Sequence, residues 1–307
     1  LQKNYLKIME KEKHKLKQII RGERFVNVPR INEVSDVLQL QVVADTYHVR
    51  GSGEATKELD EVITLHRKWV SEIIDLSDFP HCYFTHGVTD AIHHWVMTET
   101  RPWQKLCYGE YEYPDIIGTK PTITCDVPRQ HMNDLGRAAL PGKIDINKPL
   151  YISIPSAADG NYFDISEINS PVILDCCYIG TTNIQRIEVP KNTEQVFFGF
   201  SKGFGLSGQR LGLVYTKEPH KSLDRLRRLE NWNYTGVQTM KLIMNNFTVD
   251  EMWKRNRTKQ IEFCDDYDIK PSDVWYLATS RDSYYEERRR MRWNDTARLC
   301  LTPLFEK

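Results

Sequence analysis

Three short segments carry side chains that can do chemistry, and each sits at the end of an apolar run. In FTHGVTDAI (84–92) an apolar run ends, Gly87 makes a tight turn, and a helix is expected to begin. The free backbone N–H groups of such a helix start favour an anion, phosphate above all. In VILDCCYIG (172–180) an apolar strand delivers Asp175, with Tyr178 three residues later. A carboxylate there could cap a helix, ligate a metal or pair with a cationic ring nitrogen. In FFGFSKGFGLSGQRLGLVYT (197–216) Ser201 and Lys202 fall in a Gly-rich turn, and Arg210 follows Lys202 by eight residues. A lysine sheltered between apolar strands, with an arginine nearby, is expected to have a lowered pKa, as an amine nucleophile requires. Glycines in the turn let the backbone approach a ligand closely.

These segments need a scaffold, and the hydrophobic pattern supplies one. Residues 3–21 read as a charged helix, 22–53 as irregular, and Glu54 to Leu76 as a long helix with apolar residues at helical spacing. Short apolar runs follow: HCYFT, KLCYG, TITCDV, PLYISI, VILDC, QVFFGF and RLGLVYT. Strands of this length alternating with helices predict an α/β fold with a mostly parallel central sheet flanked by helices. After Lys217 the texture changes to helices at 219–231 and 236–262, a strand VWYLAT, a charged helix near 281–292 and a strand TARLCL. This predicts a small α+β domain. The expected units are an N-terminal segment 1–50 belonging to the small domain, a large domain 51–217 and a C-terminal small domain 218–307. In open parallel sheets, ligands bind beyond the carboxyl ends of the strands, where all three chemical segments lie.

Composition narrows the class. The chain has 307 residues, 40% of them hydrophobic and 27% charged, with Lys+Arg and Asp+Glu both 42. A net charge of zero argues against a protein built to grip nucleic-acid phosphates. No run approaches the ~20 apolar residues of a membrane span. The beginning is charged throughout, unlike a secretory signal, and opens on Leu1, which puts the natural start upstream or removed. The seven cysteines are irregularly spaced with no CxxC pair, as expected of reduced thiols in a cytoplasmic protein.

Taken in order, the three segments resemble the active site of the fold-type I pyridoxal-phosphate enzymes, in particular the class I/II aminotransferases. The match is a strand ending D-x-x-Y, then S-K, seven residues, R and L-G. It implies pyridoxal 5'-phosphate as cofactor, amino-acid and keto-acid substrates, and a homodimer. By this resemblance Lys202 carries the cofactor as an imine and moves the substrate α-proton. Asp175 pairs with the pyridine nitrogen, and Tyr178 hydrogen-bonds the ring's 3-oxygen. Arg210 binds the phosphate, with Gly87, Val88 and Thr89 as its backbone cup and Ser201 offering a hydroxyl. Arg298, in TARLCL, clamps the substrate α-carboxylate. An aromatic ring stacks on the cofactor; CYGEYEYP offers Tyr108, Tyr111 and Tyr113, with Tyr111 favoured. Tyr47 is a candidate to reach the phosphate of a neighbouring subunit. The resemblance implies amino-group transfer. The same contacts also serve a lyase or decarboxylase, and a non-catalytic relative would keep the fold without needing the lysine.

The sequence departs from the family in two places. The usual turn after the fourth strand, whose asparagine bonds the ring oxygen, reads IPSAADG (154–160) here, with Ala157 at the asparagine place. Ser156 or Asn161 could replace that hydrogen bond. The lysine segment reads GFSK, so Gly199 offers no hydroxyl to the phosphate. Other features read blandly. The histidines His81, His86, His93 and His94 have no metal-ligand spacing, although His86 would lie beside the phosphate cup. Cys176 and Cys177 are expected to pack in the core, and RRRMR (288–292) to form a solvated face.

Overall fold

The computed structural model describes Glu10, Lys11, Lys13, 53–106, Glu110, Tyr111, 113–118, 122–123, 144–288 and 296–305. The readings made for 22–52, including Tyr47, and those for Tyr108 and for most of RRRMR lie outside these residues, as does most of 3–21.

The core is a seven-stranded sheet with the order β1-β7-β6-β5-β4-β2-β3. Its strands are β1 (His81–Thr85), β2 (Gln104–Lys105), β3 (Thr122–Ile123), β4 (Leu150–Ser153), β5 (Val172–Cys176), β6 (Thr193–Gly199) and β7 (Gly212–Thr216). The four pairings from β6 to β3 are parallel, and β7 runs antiparallel to both β6 and β1. Every residue of β4 and β5 is buried, as expected for parallel strands covered on both faces.

Alternation along the strands assigns the two faces. Tyr151, Ile173 and Phe197 face one cluster, together with Val88, Ala91, Ile92 and Trp95 of helix α2 (Val88–Thr98). Leu150, Ile152, Val172, Leu174, Val196 and Phe198 face the other, which helix α1 (Glu54–Trp69) covers with Leu59, Val62 and Ile63. Burying each such Leu, Ile or Phe contributes roughly 1.5–3 kcal/mol. Asp175 lies two residues after Ile173, so its side chain belongs to the α2 face.

The helix expected to reach Leu76 stops at Trp69. The next residues are drawn away: Ile74 bridges to Ile187, and the Ile187 N–H donates to the Ile73 carbonyl at 2.7 Å. Tertiary pairing outweighs the helical pattern there. The expected helix 236–262 is two helices, α5 (Tyr234–Asn246) and α6 (Glu251–Asp266), with extended backbone at Phe247. The Thr248 hydroxyl donates to Asp250 Oδ1 at 2.8 Å, so side-chain bonding replaces the helical ladder at the break. Two short helices complete the large sheet's surroundings, α3 (Tyr113–Ile117) and α4 (Lys221–Arg228). A second sheet of three antiparallel strands holds β8 (Lys270–Pro271), β9 (Leu277–Ser280) and β10 (Ala297–Cys300). The helix expected near 281–292 is a 3₁₀ segment at Ser283–Arg288, and α7 (Thr302–Phe305) closes the described chain. No helix among the described residues is long and apolar enough to cross a membrane.

Candidate active site

The reversed strand β7 explains how distant segments meet. Because it runs against its neighbours, its first residue, Gly212, lies beside the last residues of β1 and β6, pairing with Thr85 and Gly199. A side chain at Gly212 would not fit, since a Cβ there would stand 2.9 Å from the Gly87 backbone. Gly87 itself has φ +78° and ψ 172° and forms the N-cap of α2, a conformation open essentially to glycine alone. Arg210, with φ +54°, precedes β7 in a left-handed turn. Its guanidinium lies against Gly87, where an added Cβ would come within 3.1 Å of Nη2. A planar cation and the free amides of a helix start therefore share one corner, which suits an oxyanion. Thr89 lies in the first turn of α2.

Asp175 is fully buried at the carboxyl end of β5. Its Oδ2 accepts from the Tyr151 hydroxyl at 2.5 Å and its Oδ1 from the Cys177 N–H at 2.8 Å. Three residues on, the buried Tyr178 lies under Lys202, whose Nζ is 3.8 Å from the centre of the Tyr178 ring. The same Nζ donates to Cys177 Sγ at 3.4 Å and lies 5.7 Å from the Tyr111 ring centre. Arg298, on β10, donates from Nη1 to the Ala157 carbonyl at 2.6 Å and to the Tyr178 hydroxyl at 3.1 Å.

The electrostatics differ from the sequence expectation in one respect. A lowered lysine pKa was expected, and burial does act in that direction on Lys202. Cys177, Tyr178, Tyr276 and Asp175, all facing the amine, act the other way and prevail, so the ammonium is held well above its ordinary range. Arg210 is absent from this set: it lies over Gly87, and the second cation invoked to lower the lysine is spent on the anion corner. Burial, with help from Asp175, pushes the Cys177 thiol up. Burial likewise raises the Tyr111 phenol.

No protein-family model and no curated protein matches the sequence. Solved structures do match the fold. N-succinyldiaminopimelate aminotransferase from Mycobacterium tuberculosis superimposes with TM-score 0.63 at 14% identity, over 96% of this chain and 94% of that one. Histidinol-phosphate aminotransferase from Sinorhizobium meliloti, in complex with pyridoxal-5'-phosphate, gives TM-score 0.61 at 14% identity, over 92% and 88%. The fold is that of the fold-type I aminotransferases. L-threonine-O-3-phosphate decarboxylase from Porphyromonas gingivalis shares this aminotransferase fold with the chain at TM-score 0.57 and 13% identity, over 89% and 92%.

Within this fold Gly87 and Arg210 meet at the start of α2, which also carries Val88 and Thr89, while Tyr111, Tyr178, Lys202 and Arg298 are joined by contacts close to Asp175. Ser201 is half-buried beside Lys202 in the same turn. His86 is exposed, and its backbone N–H donates to Asp90 at 3.0 Å. Tyr113 stands behind Tyr111, ring centres 6.4 Å apart and nearly parallel. The two residues considered as replacements at the Ala157 turn are engaged elsewhere. Ser156 Oγ accepts from the Ala158 N–H at 3.0 Å, and Asn161 Oδ1 accepts from the Asp273 N–H at 3.0 Å.

Sequence reasoning missed four groups. Cys176 packs in the core as expected, but Cys177 is half-buried with its thiol against Lys202. Tyr151 had the look of a core strand residue, and the alternation that put Ile173 on its face was the available signal. Glu110 is fully buried and accepts from the Ser153 hydroxyl at 2.5 Å, and that oxygen accepts from the Ala157 N–H at 2.7 Å. Tyr276, in a run read as an apolar strand, lies in the turn before β9 and bears electrostatically on Lys202 and Tyr178.

Proposed function

We propose that this chain is a pyridoxal-phosphate-dependent enzyme that transfers an amino group between an amino acid, or a related amine, and a keto acid. The observation that carries this reading is the placement of Lys202 Nζ 3.8 Å over the ring of Tyr178, which follows the buried Asp175 carboxylate by three residues. The residues present suit the cofactor's chemistry. Gly87 has no side chain where a Cβ would meet the Arg210 guanidinium at 3.1 Å. The buried Thr85 Oγ1 and the Tyr276 hydroxyl both lack a hydrogen-bond partner among the described residues.

When bound, pyridoxal phosphate supplies an aldehyde that an amine can condense with and a ring that takes up the electron pair released at the substrate α-carbon. The chain's own groups divide the remaining work. Arg210 and the first amides of α2, at Val88 and Thr89, bind the phosphate, with Ser201 as an added hydroxyl. Asp175 favours a protonated ring nitrogen and is itself oriented by Tyr151 and the Cys177 amide. Tyr178 would donate to the ring's oxygen, and Tyr111 would supply the aromatic contact to the ring. Lys202 Nζ holds the cofactor and is the base that removes the substrate α-proton. Arg298 binds the substrate α-carboxylate by its planar fork.

The protein is further proposed to act as a cytoplasmic homodimer, in keeping with the free cysteines among the described residues. A second reading, decarboxylation or elimination on the same cofactor, is favoured by the decarboxylase among the structures that share the fold. The deciding experiment is reduction with borohydride followed by peptide mapping. A reduced pyridoxyl adduct on Lys202, lost in Lys202→Ala, supports the proposal; no adduct on that side chain refutes it. Keto-acid acceptance of the amino group supports transfer, whereas release of carbon dioxide or ammonia supports the second reading. Equilibrium sedimentation tests the dimer.

A further inference from the structure

Tyr276 is a buried polar group near the site to which the reading above gives no role. Its side chain is fully buried, and its hydroxyl has no hydrogen-bond partner among the described residues. A buried phenol normally finds one. The neighbouring backbone fixes its position. Its carbonyl accepts from the Leu301 N–H at 2.8 Å, and its ring meets Trp275 edge-on at 5.1 Å. The next residue, Leu277, pairs with Cys300 two residues from Arg298 on β10. Besides burial, the groups that bear electrostatically on this phenol are Tyr178, Lys202, Cys300 and Cys177. Tyr285 is also buried without a hydroxyl partner, but it faces Asp282, Tyr284, Tyr267 and Asp268, away from the site.

None of the described neighbours makes a hydrogen bond to the Tyr276 hydroxyl. The lysine ammonium only donates. The Tyr178 hydroxyl already accepts from Arg298 at 3.1 Å, and Arg298 also occupies the Ala157 carbonyl at 2.6 Å. Ser156 and Asn161 are tied into their own turn. Among the described residues the Tyr276 hydroxyl is thus a donor in want of an acceptor, a role that a ligand oxygen on the side that Tyr178 faces would fill. We propose that Tyr276 donates the second hydrogen bond to the 3-oxygen of bound pyridoxal phosphate, taking the part left vacant by Ala157. Burial holds this phenol protonated, so it remains a donor across the neutral range.

This inference rests on the cofactor reading, and the test separates the two. Wild type and Tyr276→Phe, which keeps the ring and its Trp275 contact, are loaded with pyridoxal phosphate and reduced with borohydride. Absence of an adduct on Lys202 in wild type overturns the cofactor reading itself. With the adduct present, Tyr276→Phe is expected to bind pyridoxal phosphate about three- to tenfold more weakly. A donated hydrogen bond draws charge from the ring oxygen and loosens its hold on the adjacent proton. Its loss is therefore expected to raise the pH midpoint of the visible absorbance change by roughly half to one unit. Thermal unfolding without cofactor is expected to be unchanged or slightly higher, since the hydroxyl has no partner there. Adding Ala157→Asn to Tyr276→Phe is expected to return the midpoint toward wild type. An unchanged midpoint and affinity in Tyr276→Phe, or a lowered cofactor-free melting temperature, overturns the assignment.

Discussion

The Tyr151 hydroxyl donates to Asp175 Oδ2 at 2.5 Å from the adjacent parallel strand, inside the core and away from water. Burial and the Asp175 charge hold that phenol protonated, so it is a permanent donor to the carboxylate. Together with the Cys177 amide it fixes both oxygens of a buried anion.

Removing that donor leaves one carboxylate oxygen unpaired. Tyr151→Phe is expected to lower stability by about 1.5–3 kcal/mol, the range for a hydrogen bond to a charged group. Chemical denaturation with an unchanged slope would measure it. Pyridoxal-phosphate affinity is expected to fall as well, because Asp175 loses its orientation.

Gly87→Ala tests the anion corner. The φ of +78° at this position costs any other residue about 1–3 kcal/mol, and the new Cβ would press on Arg210 at 3.1 Å. The expected result is a lower melting temperature and at least about tenfold weaker binding of pyridoxal phosphate, as when one charge-assisted hydrogen bond is lost. Pyridoxal without the phosphate is expected to bind both forms alike, and equal weakening for both ligands would count against an anion site.

Arg298→Lys separates substrate binding from cofactor binding. A lysine cannot reach both the Ala157 carbonyl and the Tyr178 hydroxyl as the guanidinium does, nor present a fork to a carboxylate. The KM for the amino acid is expected to rise by about ten- to a hundredfold, the scale of a lost charged contact. Cofactor absorbance is expected to remain, and steady-state kinetics with parallel spectra check both.

Acid sensitivity is expected from His66, which is buried and pairs through Nδ1 with the Tyr215 hydroxyl at 2.9 Å. Burial, aided by Arg67, lowers its pKa from 6.5 to about 3. The unfolded chain therefore takes up a proton that the folded chain refuses. Stability from this group is complete above about pH 6.5 and declines as pH falls toward about 3, by at most about 1.4 kcal/mol per unit. His66→Phe is expected to flatten the profile of stability against pH in that window, as measured by denaturant titration at several pH values.

Much of the architecture was legible because parallel strands buried on both faces write themselves as uninterrupted apolar runs. VILDC matches the parallel strand β5 residue for residue, and HCYFT matches β1, which pairs antiparallel with β7. Asp175, Lys202 and Arg210 stood out as candidates because they are polar residues at the ends of such runs. What escaped were effects carried by partners distant in sequence. The end of α1 depends on Ile187, more than a hundred residues away. The lysine's pKa depends on a thiol and two phenols brought by the turns after β5 and before β9. Tyr151 and Tyr276 looked apolar because a phenol in a strand reveals its hydroxyl only once its neighbour is known.

The reversed strand also sets a length. Lys202 and Arg210 hang from the same connection between Gly199 and Gly212, two residues that are themselves paired across β6 and β7. That closed loop acts as a ruler: its residue count fixes the span between the amine and the guanidinium, and so the size of molecule that can touch both. Inserting or deleting a single residue there would alter that span while leaving every functional residue type present in the chain.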